Sequence, residues 1–109
     1  MIVSFDTREL LEQCSSLERA ERLLGASVAQ ALIRILADVE ALDNGGDLVD
    51  LFGKDAKIVG TDMICLNVGP GHCATFVAVG AKLLRLADGS LDWRKVQRLK
   101  LIKMCGAIE

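Results

Sequence analysis

The sequence has no tyrosine, one proline and one histidine, and its aromatic side chains are Phe5, Phe52, Phe76 and Trp93 alone. A core built from such a chain has to be aliphatic, filled by Leu, Ile, Val and Ala. With His72 the only histidine, a Ser-His-Asp triad, a Cys-His pair or a zinc site has to pass through that one residue. Cys73 follows His72 directly and, on a regular strand, points to the opposite face, which argues against a direct pair. No apolar run approaches the roughly 18–20 residues of a spanning helix. Met1 to Phe5 runs at once into Asp6, Arg8 and Glu9, unlike a signal peptide. A cytoplasmic protein with no membrane partner is expected. A glycine-rich phosphate loop and a nucleophile elbow are also missing.

Four cysteines are present, Cys14, Cys65, Cys73 and Cys105, with no Cys-x-x-Cys pair among them. Metal binding needs convergent ligands at short spacing. The expectation is four reduced, largely buried thiols that pack as small hydrophobes, with no metal and no cofactor.

A chain of 109 residues fits one domain. Half of it is apolar (51%), a surplus that allows a partner surface or a homodimer face. The net charge of −2 hides an asymmetry. Residues 1–53 carry ten acidic and four basic side chains, and residues 54–109 carry nine basic and five acidic. The second half is the part an anion would choose.

The hydrophobic pattern changes period along the chain. Met1 to Phe5 alternates weakly and predicts an edge strand. Asp6 or Thr7 can cap a short helix through Cys14. Ser15 with Glu18 resembles a capping box for a second helix that ends at Gly25. Ser27 can cap a third, in which Val28, Leu32, Ile35, Leu36 and Val39 form one stripe to about Leu42. Gly45-Gly46 reads as a helix stop, and Asp47 to Gly53 as a loop or single turn.

After that the period is two. Strands are expected at Ala56–Gly60, at Asp62–Val68, at Cys73–Val79 beyond a Gly69-Pro70-Gly71 turn, and at Val96–Met104, with alternation imperfect in the last. Lys82 to Asp92 is a loop holding the turn Asp88-Gly89-Ser90. The fold class is α+β: two or three N-terminal helices packed on one face of a small twisted, mostly antiparallel sheet, which the first strand rejoins.

These stretches carry a resemblance. The opening strand Met1–Phe5, the helix Ala29–Leu42 with Gly46–Asp50 after it, and above all Ala87–Leu101, where a glycine turn and Asp92-Trp93 precede the last strand, resemble the RelE/ParE toxin superfamily. Within it they resemble the HigB-type plasmid-maintenance killer proteins. The resemblance spans nearly the whole chain and implies a bacterial toxin paired with an antitoxin, expected to be a helix-turn-helix protein encoded next to it. It also implies metal-independent cleavage of mRNA on the ribosome, by attack of a 2′-hydroxyl on the adjacent phosphate.

His72 is the implied catalytic residue, since an imidazole titrates near neutrality and can carry the proton. Lys54, Lys57, Lys82, Arg85, Arg94, Arg98 and Lys100 are the implied RNA contacts, with Lys95 and Lys103 completing the basic set. Alternation predicts that they do not all face one way. Trp93 is read as a core residue rather than a base-stacking one. The chain departs from the family pattern at two places. Where a Tyr-Arg-like pair is expected after the hairpin turn it has His72-Cys73. Its C-terminus, Met104–Glu109, lacks the expected Tyr and His. The second expectation is therefore an inactive member of the same fold that binds an antitoxin or RNA.

Overall fold

The computed structural model describes residues 1–60, 62–69, 71–80, 85–89 and 91–105. The chain begins with strand β1 (Ile2–Phe5), then helices α1 (Arg8–Ser15), α2 (Leu17–Leu24), α3 (Ala26–Ala41) and α4 (Gly45–Phe52). Strands β2 (Ala56–Val59), β3 (Met63–Gly69), β4 (His72–Ala78) and β5 (Arg98–Cys105) follow. Short 3-10 turns sit at Gly53–Asp55 and Trp93–Lys95. The sheet order is β1-β5-β4-β3-β2. β2 to β5 form an antiparallel meander, and β1 returns to the edge parallel to β5, with Val3 opposite Leu99. This is the expected α+β arrangement with one more helix.

Local chemistry sets the helix starts. Thr7 caps α1 by accepting from the Leu10 amide at 3.1 Å. Ser16, not Ser15, caps α2 by accepting from the Arg19 amide, so the expected capping box is one residue out. Ser27 caps nothing. α3 starts from Gly25, whose φ of +87° lets one residue close α2 and open α3.

The stretch after α3 is the clearest correction to the sequence reading. Gly45-Gly46 does not stop a helix but begins one, and the expected loop at Asp47–Gly53 is α4 through Phe52. Asn44 caps it, accepting from the Asp47 amide at 2.9 Å. Two glycines stand there because Trp93 and Arg94 lie against them. A Cβ on Gly45 would come 2.9 Å from Trp93 Cε3 and 3.0 Å from the Trp93 carbonyl oxygen.

One apolar core lies between the helices and one sheet face. α3 buries Val28, Leu32, Leu36 and Val39, α4 buries Leu48, and the sheet supplies Ile64, Leu66, Phe76, Leu99 and Leu101. Ile35, expected in the stripe, is only half-buried at its edge. Trp93, 9% exposed, belongs to this core, so it offers no face to a base.

A bulge explains the imperfect alternation of β5. Phe76 pairs with Leu101 but Thr75 pairs with Lys103, which leaves Ile102 without a register partner. Beyond the bulge Lys103 shares a face with Thr75, away from the core.

Candidate nucleic-acid interface

Every buried apolar sheet residue named above belongs to the helix-covered face. Residues directly opposite one another in a sheet share a face, so the register maps the other side. Lys57 stands opposite Cys65, Cys65 opposite Thr75, and Thr75 opposite Lys103. A second row runs through Val59, Met63, Val77, Lys100 and Ser4. Arg98, two residues before Lys100 on β5, falls on the same side. Among the described residues no helix covers this face, and Lys57, Asn67, Arg98 and Lys103 are exposed on it. Thr75, on the central strand with neighbours on both sides, is 6% exposed and is the buried polar side chain of the sheet.

At the hairpin end of this face lies a shallow cavity of about 300 Å³. Lys54, Lys57 and His72 border it, from three separate segments. The 3-10 turn at Gly53–Asp55 brings Lys54 to the rim, β2 carries Lys57, and His72 is the first residue of β4. The sequence reading missed the rest of the wall: Asp55, Cys65, Asn67, Gly71 and Cys73. Asp55 beside Lys54, and Gly71 and Cys73 beside His72, carried only the signal of adjacency.

Asn67 shapes the hairpin end, its side-chain oxygen accepting from the Gly69 amide at 3.2 Å. A register shift between Asn67 and Gly69 leaves Val68 unpaired opposite the start of β4. His72 and Cys73, consecutive on β4, both border the cavity. The cysteines correct one expectation. Cys14 is buried, and burial pushes its thiol up to about 11, but Cys65 and Cys73 are half-buried on the open face and do not serve as core fillers.

The basic residues therefore divide. Lys54, Lys57, Arg98, Lys100 and Lys103 share the open face or its rim. Arg85 turns back on its own loop, donating to the Gly89 carbonyl at 3.4 Å. Arg94 lies on the helix side and pairs with Asp50 at 2.8 Å and Asp47 at 3.5 Å. The Asp50 hydrogen bond and charge push its guanidinium up further. Lys95 is exposed on the 3-10 turn at Trp93–Lys95, and Lys82 lies outside the described residues.

The chemistry open to the cavity follows from its side chains. Two ammonium groups beside it can hold a phosphate and offset developing negative charge. An imidazole and a carboxylate on the same wall supply a proton donor and acceptor. Among the described residues no Phe or Trp borders it, so a strand lying there meets cations rather than a large stacking platform. Among the described residues no three His, Cys, Asp or Glu side chains converge to hold a metal ion, and no helix is long and apolar enough to cross a membrane. Compared with protein-family models, with curated proteins and with solved structures, the chain matches none of them.

Proposed function

We propose that this domain binds single-stranded RNA through the phosphate backbone on its open sheet face, as a RelE/HigB-like toxin that cleaves mRNA on the ribosome and is held in check by an antitoxin. The observation that carries the reading is the convergence of Lys54, Lys57 and His72, distant in sequence, on one cavity beside a row of further cations. The element order, helices first and then a meander rejoined by the first strand, supports it as the layout that the sequence resemblance implies.

In this reading Lys54 and Lys57 hold the scissile phosphate. A base on the wall takes the proton of the 2′-hydroxyl, the O2′–P bond forms, the P–O5′ bond breaks, and an acid returns a proton to the departing oxygen. His72 and Asp55 are the groups on the wall that take the proton-transfer roles in this reading.

A second reading has its own observation. β4 reads His72 to Ala78 with no arginine beside the cavity, and the chain has no tyrosine. A bidentate phosphate clamp and a phenolic acid are thus missing, which favours a member of the fold that binds RNA or an antitoxin without cutting. Induced expression with mapping of mRNA ends on translating ribosomes separates the two. Growth arrest with new 5′ ends inside open reading frames is the outcome for a nuclease. RNA binding with intact mRNA identifies the non-cleaving member. Absence of RNA binding at low salt removes both.

A further inference from the structure

The cavity wall holds two thiols that the proposed reaction does not use. Cys65 stands opposite Lys57 on β2, and Cys73 stands opposite Asn67 on β3. The two cysteines are diagonal neighbours on one face, about 7–8 Å apart at that spacing. A disulfide needs Cβ atoms about 3.5–4.5 Å apart, so the pair does not close on itself without backbone movement. Both are partly open to solvent and share the wall with Lys54, Lys57 and His72. Among the described cysteine side chains, nucleophilic sulfur, cations and access thus coincide at this place, whereas Cys14 lies in the core.

We propose that Cys65 and Cys73 form an acceptor site for a small anionic disulfide of the glutathione class, and that the adduct displaces RNA from the same cavity; the second half rests on the RNA reading above. A thiolate sulfur attacks one sulfur of the disulfide. A new S–S bond to the protein forms as the old one breaks, and the departing thiolate takes up the proton the cysteine released. The small disulfide is reduced and the protein thiol oxidised, so no other reagent is needed. The ammonium groups of Lys54 and Lys57 attract the carboxylates of the reagent and offset the negative charge spread over the sulfurs during attack. Once attached, the same carboxylates occupy the cations that would meet phosphate.

The test treats the full-length reduced protein with glutathione disulfide, neutral hydroxyethyl disulfide or cationic cystamine, with mass mapping of the adducts. Raising salt from about 20 to about 500 mM is expected to slow the glutathione reaction roughly threefold or more, to quicken the cystamine reaction, and to leave the neutral one unchanged. Adducts are expected on Cys65 or Cys73, and the double variant Cys65→Ser/Cys73→Ser is expected to take up none under the same conditions. The glutathione adduct is expected to bind single-stranded RNA roughly tenfold or more weakly, with recovery on reduction. RNA affinity of the double variant, whatever its starting value, should be the same before and after treatment.

Adducts confined to Cys14 or Cys105, or rates indifferent to reagent charge and salt, overturn the acceptor site. RNA affinity unchanged by the adduct overturns the displacement. If the untreated protein binds no RNA, the function proposed above fails with the displacement, while mapping and salt dependence still decide the acceptor site.

Discussion

Arg94 donates to the Asp50 carboxylate at 2.8 Å across 44 residues of chain. Its partner carboxylates, Asp47 and Asp50, both lie on α4, so a side chain from the turn before β5 holds that helix against the sheet edge. Arg94 is exposed, and an exposed ion pair is a weak restraint. The stronger one is steric, since Trp93 and Arg94 occupy the space that a side chain at Gly45 or Gly46 would need.

Gly45→Ala is therefore expected to lower unfolding stability by roughly 1–3 kcal/mol, because the new methyl meets the Trp93 ring and carbonyl. Gly46→Ala is expected to cost less, since its main neighbour is the movable Arg94 side chain. Denaturant unfolding of both variants checks the order. A Gly45→Ala protein as stable as the parent would mean that α4 and Trp93 are not packed in this way.

The α3 stripe makes a graded expectation. Leu32 is fully buried, and Leu32→Ala should cost roughly 2–5 kcal/mol. Ile35 is only half-buried, so Ile35→Ala should cost clearly less than Leu32→Ala. Equal losses would mean that the stripe is rotated from its described position.

For RNA binding, log affinity against log salt should fall with a slope near −0.7 per neutralised phosphate of a single strand. Lys54→Ala/Lys57→Ala should flatten that slope by roughly one to one and a half units. Arg94→Ala, which alters the helix side, should leave it unchanged. A slope that responds to Arg94 and not to the two lysines would move the binding surface to the other side of the molecule.

His72→Ala is expected to separate binding from chemistry. If the imidazole moves a proton, RNA affinity changes little while the cleavage rate drops roughly 10²–10⁴-fold. Parallel loss of both would make His72 a binding residue only.

Cys14 sets a pH dependence. Burial raises its thiol from 9.0 to about 11, so the folded state holds that proton more tightly than the unfolded chain. The associated stability is fully present below pH 9 and is lost as pH rises through about 11. Unfolding measured from pH 8 to 11 should therefore fall more steeply for the parent than for Cys14→Ala. The difference cancels the titration of lysines, which both proteins share. At pH 8 a thiol reagent should label Cys65 before Cys14.

Periodicity alone carried much of this fold. The α3 stripe at Val28, Leu32, Leu36 and Val39 and the alternation of Ile64, Leu66 and Val68 are local consequences of burying one face, and both are legible without a structure. Gly25 as the end of α2 and Trp93 as a core residue were legible for similar reasons. α4 was not. Its two opening glycines are poor helix formers, and what holds them in a helix is the contact with Trp93 and Arg94, nearly fifty residues further on.

The site divides in the same way. Residue type was enough to single out Lys54, Lys57 and His72 as the groups suited to phosphate chemistry. Whether they meet depends on the pairing of β2, β3 and β4 and on the hairpin irregularity at Asn67–Gly69, while the bulge at Ile102 decides which face Lys103 joins. Those features are set by pairing between distant segments, where a one-residue shift moves a side chain from one face to the other. Arg94 and Arg85 are indistinguishable from the open-face cations by type. Only the tertiary structure assigns one to the acidic α4 and the other to its own turn, because a charge is committed by the neighbours the fold brings to it.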